Sequence, residues 1–395
     1  MIAKILRYWS YFLRILPYIF IFFPVLVYSW FVKNRPRYQG LWLISERGDE
    51  ARDNGYHLYR YIREMHPEIN VYFVLSSESP DRDKIVKLGR ETIEPKSPKH
   101  FLYYILAEKV ISTHLHGAAP YGKAVLPFLK FMPKKKHVML KHGVTKDNFA
   151  FKDNYIDLLV CVSRFELECL KNSSPKIKDA IQILGFCRYD KLIDKSSEER
   201  IILFMPTFRK WLEDLSRLPN RDKYFTQDSY FTHWNSLLNN RKLIEILEEK
   251  NLKLVFYPHY RIQKYIHNFH SISNNVVIAD NKKFDIQELL TKSSLMVTDF
   301  SSVFFDFVYM KKPVIYYQFD KEDYRKKHYK EGAFSYELHG FGPVLNTEQE
   351  VVDYIQHVID NNFEMDSMYS DRLEGFFEFR DNKNSERNFR AILEL

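Results

Sequence analysis

Two histidines in this chain stand where short apolar runs give way to polar residues suited to holding anions. His142 and Gly143 follow the run HVML (137–140) in LKHGVTKDN, and His259 and Arg261 follow KLVFYP (253–258) in YPHYR. Two more runs end the same way. Thr207 and Arg209 close MPTFR, and Thr298, Asp299, Ser301 and Ser302 lie in VTDFSSVFFDF (297–307). Imidazole changes charge near neutral pH and serves as a general base or acid. Arginine presents a planar fork to phosphate, and hydroxyls with free N–H groups at a helix start bind anions. The set therefore points to chemistry on a phosphorylated substrate. Each piece also has a plain structural reading: a strand-end histidine packs in the core, and Ser or Asp before a helix caps it.

The surrounding pattern says what positions these residues. Strand-like apolar runs appear at 41–45, 71–76, 110–113, 137–140, 158–163 and 181–186, then at 201–208, 253–258, 276–279, 295–298 and 314–318. Amphipathic stretches such as HLYRYIREM (57–65) and LIEILEEK (243–250) lie between them. Buried runs alternating with crossover helices give parallel sheets, and two sets of them give two doubly wound α/β domains. The polar stretch DKSSEER (194–200) marks the boundary. The expected division is residues 38–195, residues 196–395 with a helical tail, and a hydrophobic segment over residues 1–37. Residues 297–307 are expected to form a strand, a tight turn and a helix starting near Ser301 or Ser302. The stretch 212–230 is expected to be a long loop or lid. Ligands of open parallel sheets bind beyond the carboxyl ends of the strands, where the four polar segments fall.

Composition narrows the partners. The 395 residues are 45% hydrophobic, and 59 basic against 51 acidic residues leave a net charge of +8. That excess favours anionic partners. The aromatics fall in strands and on helix faces rather than along a basic stripe, which argues against nucleic acid. Cys161, Cys169 and Cys187 form no CxxC pair and are odd in number, which excludes a disulfide framework or a zinc site and fits a reducing compartment. From Ile15 to Val32, 18 residues carry no charge, with Tyr18, Tyr28 and Trp30 near the ends. Lys4, Arg7 and Arg14 precede this run, and Lys33, Arg35 and Arg37 follow it. Its length is at the lower limit for a span, and Pro17 and Pro24 would bend it. The expectation is an anchor lying in or dipping into the inner leaflet, with the body on the cytoplasmic side.

The serine-pair segment resembles the signature of the CDP-glycerol glycerophosphotransferase family, the teichoic-acid polymerases and primases. Further resemblances follow in the same order: SERGDEARDNGYHLYRYIR (45–63), LKHGVTKD (140–147), GFCRYDKL (185–192), ILFMPTFR (202–209), YPHYR (257–261), KKPVIYYQFDKEDY (311–324) and HGFGPVLNT (339–347). Together they run from about residue 41 to about residue 350. The chain departs from the family pattern at two places. Thr145 stands one position later than the threonine of the HGT motif, and Tyr260 replaces the proline after the second histidine.

The resemblance implies a GT-B-type fold with the active site in the cleft. It implies a CDP-polyol donor, a lipid-linked or polymeric anionic acceptor, and no metal or other cofactor. Transfer of glycerol phosphate with release of CMP is the expected reaction. CDP-ribitol as donor, or a nucleotide sugar in an ordinary GT-B glycosyltransferase, are the alternatives. Of the residues, His142 is expected as the base and His259 at the donor pyrophosphate, with exchanged roles left open. Ser301, Ser302, Thr298, Thr207 and Gly143 are expected near phosphate, with Arg209 and Arg261 supplying charge. Asp299 is expected to orient backbone or ribose. Asp53, Asn54 and His57 either touch the acceptor or cap the following helix. A homo-oligomer is left open.

Overall fold

The structure is a computed structural model that describes residues 2–151, 155–197, 199–215 and 218–395. Two six-stranded sheets form its frame, and every strand pair in both is parallel. The first sheet contains β1 (Trp42–Ser45), β2 (Val71–Val74), β3 (Lys109–Ser112), β4 (Lys136–Met139), β5 (Leu158–Cys161) and β6 (Ile181–Ile183), in the order β2-β1-β3-β4-β5-β6. The second contains β7 (Ile201–Phe204), β8 (Lys253–Phe256), β9 (Val276–Ile278), β10 (Ser293–Thr298), β11 (Val314–Tyr317) and β12 (Val344–Leu345), in the order β12-β11-β10-β7-β8-β9. The eleven apolar runs are all strands. The twelfth strand has two residues, too few to carry a periodic signal.

In the first sheet the winding direction reverses between β1 and β3; in the second it reverses between β7 and β10. At such a point the loops on either side diverge and leave a crevice at the carboxyl ends of the strands. Central strands that are buried along their whole length, such as β1, β3, β5, β7 and β10, hold those ends rigid.

Three features differ from the expectations. Helix Phe304–Tyr309 starts later than expected, because the Phe305 N–H donates to Ser302 O and the Asp306 N–H to Val303 O as turns before regular helix sets in. The segment after Arg209 is helical over Lys210–Asp214 and Arg221–Thr226 rather than an open loop. Buried Leu212, Phe225 and Tyr230 pin it to the second domain. Finally, the tail does not stay with the second domain. Helix Asn384–Leu393 packs on helix Asn54–Met65 of the first, with Phe389 against Trp42 and Lys109 Nζ donating to Ile392 O at 2.6 Å.

Helix Ile2–Val32 lies along helix Pro98–Leu106. Phe22, Leu26, Ser29 and Val32 form its buried stripe, whereas Phe20, Phe23, Val27, Tyr28, Trp30 and Phe31 face outward. Among the described residues no helix is long and apolar enough to cross a membrane. The side chains of Lys4, Arg7, Arg14 and Pro17 lie outside those described.

Candidate active site

The crevices of the two sheets face each other. Loop 140–147, leaving β4, brings His142 and Gly143 against the serine pair that follows β10. A β-carbon placed on Gly143 would lie 2.8 Å from Ser302 Oγ, so any side chain here would push the Ser302 hydroxyl aside. Lys141 precedes His142 in left-handed backbone, φ 61°, a conformation costly for a non-glycine residue. Asn54 Nδ2 holds its carbonyl at 2.8 Å, and its ammonium pairs with buried Glu166. Glu166 also accepts the N–H groups of Thr145, at 2.5 Å, and Val162, at 3.0 Å. One buried carboxylate thus fixes both sides of the His142 turn.

His142 stacks on His114, which follows β3, with ring centroids 4.5 Å apart and planes within 4°. Burial lowers the His142 pKa from its ordinary value; Asp53 pulls it back up, Arg47 and Arg188 lower it, and a hydrogen bond to the Thr113 backbone raises it. In the neutral ring one nitrogen carries a lone pair, as a general base requires. His114 is pushed down to about 4, by burial and then by His142.

On the opposite wall, burial pushes His259 down to about 3, helped by Arg47, Arg261, His328 and His142. Its ring lies on Phe208 at 4.8 Å. The Arg261 N–H donates to Nδ1 at 3.3 Å, which leaves the proton of the neutral ring on Nε2. Ser301 and Ser302 are half-buried. The Val303 N–H reaches Ser301 Oγ at 3.4 Å, and no side chain caps the helix behind. The serine pair is therefore not a helix cap.

A match to the CDP-glycerol:poly(glycerophosphate) glycerophosphotransferase family covers residues 26–394. The chain belongs to this family. It is 35% identical over 366 residues to the minor teichoic acid biosynthesis protein GgaB of Bacillus subtilis, an alignment that takes in 90% of this chain and 40% of that protein. It is 24% identical over 373 residues to the teichoic acid poly(glycerol phosphate) polymerase of the same organism, covering 87% of this chain and 47% of that one. The chain thus spans under half the length of either relative. Its fold resembles the wall teichoic acid polymerase TagF, at TM-score 0.68 and 15% identity over 98% of both chains. It also resembles a putative UDP-N-acetylglucosamine 2-epimerase from Listeria monocytogenes, at TM-score 0.53 and 13% identity over 89% of this chain and 95% of that one.

Within this glycerophosphotransferase-family cleft, several expected site residues turn out to be occupied elsewhere. Arg209 has no exposed surface. It pairs with Asp299 at 2.8 Å and with both oxygens of Asp320, at 2.7 and 2.9 Å. Burial opposes its charge, and the two carboxylates more than restore it. Asp299 also accepts the N–H groups of Thr207, at 2.8 Å, and Phe300, at 2.5 Å. Thr298 donates to the Met205 carbonyl at 2.7 Å. Arg209, Asp299 and Thr298 therefore brace the floor of the second crevice, and Thr207 is buried beside them. Arg261 stands at the rim, paired with Glu213 at 2.5 Å.

Of the three acceptor-side candidates, His57 reaches the second domain directly, whereas Asp53 and Asn54 hold Arg188, which does. Asp53 caps helix Asn54–Met65 and meets Arg188 Nη1 at 2.8 Å. Arg188 continues into a two-pronged pair with Asp306 of the second domain, at 2.5 and 2.7 Å. Asn54 is fully buried and accepts the Arg188 N–H at 3.0 Å. His57 is buried against Gln287 of the second domain, Nε2 to Oε1 at 3.1 Å. Asn54 and His57 are thus both buried in contacts within the protein. Residues that the sequence reading passed over are Arg47, His114, Arg188 and His328. The HLH of THLHG (113–117) directly after a strand run was the available signal for His114. Arg188 lies inside GFCRYDKL (185–192), but nothing in that segment points to its carboxylate partners.

Proposed function

We propose that this chain transfers a glycerol-phosphate unit from CDP-glycerol to a hydroxyl of a lipid-linked or polymeric acceptor and releases CMP, in the synthesis of teichoic acid or a related surface polymer. The observation that carries the reading is the meeting of the His142–Gly143 turn with Ser302 across the cleft, His259 facing it, in a chain of this family. Phosphoryl transfer asks a protein mainly for positioning and charge stabilisation. A ring nitrogen of His142 takes the proton of the acceptor hydroxyl as its oxygen attacks the β-phosphorus. The bond from that phosphorus to the bridging oxygen breaks, and CMP leaves with the electron pair. His259, neutral with its proton on Nε2, donates a hydrogen bond to a pyrophosphate oxygen as charge builds there. The Ser301 and Ser302 hydroxyls hold the phosphate oxygens.

The work takes place at a membrane surface on the cytoplasmic side. The outward face of helix Ile2–Val32 supports this. Phe20, Trp30 and Phe31 are 71%, 61% and 79% exposed, and exposed Lys33, Arg35 and Arg37 follow directly. An apolar face bordered by cations seats in the headgroup and acyl boundary of anionic lipid.

The test is CMP release by purified protein with CDP-glycerol and CDP-ribitol side by side, with and without a lipid-linked acceptor, and with EDTA. Acceptor-dependent CMP from CDP-glycerol supports the reading. CMP from CDP-ribitol alone replaces the donor. CMP from neither rejects it, and nucleotide sugars come next.

A further inference from the structure

Arg47 follows β1 at the crevice where the first sheet reverses, and it touches both walls of the cleft. Its Nε donates to His114 Nε2 at 3.4 Å, and His114 is the ring on which His142 stacks. Its guanidinium carbon lies 4.2 Å from the ring centre of Tyr260 in the second domain, and the Tyr260 and His259 rings are 4.4 Å apart. One cation therefore stands between the two histidines, one ring removed from each.

Arg261 at the rim is tied by Nη1 to Glu213 at 2.5 Å and by Nε to Tyr260 Oη at 2.9 Å, and three further cations of the cleft are committed more deeply. Arg209 is sealed between Asp299 and Asp320, Arg188 between Asp53 and Asp306, and Lys146 is buried against Asp147. Arg47 has one carboxylate neighbour, Glu50 at 3.2 Å, and its side chain stays 32% exposed. Burial raises the Glu50 pKa, which weakens Glu50 as a counter-charge. Among the described residues the remaining N–H groups of the Arg47 fork make no hydrogen bond.

We propose that Arg47 binds the diphosphate of the nucleotide-activated substrate, bridging the space between His142 and His259. The assignment rests on reading the cleft as a phosphoryl-transfer site. A planar fork beside a hydroxyl pair suits two phosphate oxygens at once. It also ties basicity to occupancy. The groups facing His142 are His114, Asp53, Arg47 and Arg188; those facing His259 are Arg47, Arg261, His328 and His142. Arg47 disfavours a proton on both rings. A bound diphosphate cancels that charge, so His142 becomes a stronger base when donor is present.

The test uses the full chain with Arg47→Ala and Arg47→Lys. Calorimetry reads the affinity for CDP and for inorganic pyrophosphate, and NMR titration reads the imidazoles of His142 and His259. Arg47→Ala should weaken both ligands about tenfold or more, as loss of a charge-assisted pair does, with Arg47→Lys between it and wild type. Both imidazoles should titrate higher in Arg47→Ala than in the ligand-free wild type. CDP and pyrophosphate binding at wild-type strength in Arg47→Ala overturns the assignment, whatever the turnover. If wild type yields no CMP from CDP-glycerol yet Arg47→Ala loses CDP binding, the donor reading falls and the assignment of Arg47 stands.

Discussion

Gly143 of the first domain and Ser302 of the second stand so close that one methyl group on Gly143 would reach to 2.8 Å from the serine oxygen. Ser302 can turn its hydroxyl aside, so Gly143→Ala should fold with a stability loss under about 1 kcal/mol. The cost falls on the hydroxyl's position. Donor kcat/KM should drop about tenfold or more, because misplacement of about 1 Å is expensive in an active site. Wild-type kinetics from a folded Gly143→Ala protein would remove Ser302 from the phosphate site.

His142→Ala should lower turnover roughly 10²–10⁴-fold, the usual worth of a general base, and leave CDP binding within a few-fold. In wild type the His142 pKa lies below its ordinary 6.5, so the neutral base persists through neutral pH. Turnover should fall only on the acid side of 6.5. A rate profile that declines from pH 8 to pH 7 would contradict this assignment.

Arg209→Ala should act on the fold rather than on the ligand. It leaves Asp299 and Asp320 buried and unpaired, a loss of about 3–5 kcal/mol. Denaturant titration should show the whole effect. A folded, stable variant with a selective defect in donor binding would restore the phosphate role for Arg209.

Acid should destabilise the protein in a defined window. His57 and His259 titrate at about 3, and His100, His114 and His137 at about 4, in the folded chain; burial leads each shift, and the unfolded value is near 6.5. The unfolded state therefore binds more protons below 6.5, and stability drains away as pH falls from about 6.5 towards 3. His57→Gln removes one titrating group, so the slope of unfolding free energy against pH should decrease by up to about 1.4 kcal/mol per unit. An unchanged slope would mean that His57 is not buried in neutral form.

Trp30→Glu with Phe31→Glu should weaken binding to anionic vesicles and leave CMP release from a soluble acceptor unchanged. Deleting residues 1–33 is a poorer test, because Phe22, Leu26 and Val32 are buried and their loss uncovers helix Pro98–Leu106. Unaltered vesicle sedimentation by the double variant would move membrane attachment to another surface.

The sheets were legible in the sequence because strands buried on both faces read as apolar runs, and β1, β3, β5, β7 and β10 are of that kind. The two histidines and the serine pair could be singled out as candidates because each follows such a run. What misled was charge. Arg209 looks like a ligand for phosphate in one dimension, but its partner is Asp299, a pairing across 90 residues that no local pattern encodes. Asp53 caps its helix, one of the two roles expected, but the contacts of Asp53, Asn54 and His57 with Arg188 and Gln287 were out of view for the same reason, since those partners come from segments far along the chain.

The return of helix Asn384–Leu393 to the first domain makes the order of synthesis matter. Lys109 has its partners Ile392 and Leu393, and Trp42 its cover from Phe389, only after the whole second domain has been made. A nascent first domain must wait with that flank open. A fragment ending at residue 195 would display it permanently as a sticky surface, so the stretch of chain that looks like a self-sufficient unit is the one least able to be expressed by itself.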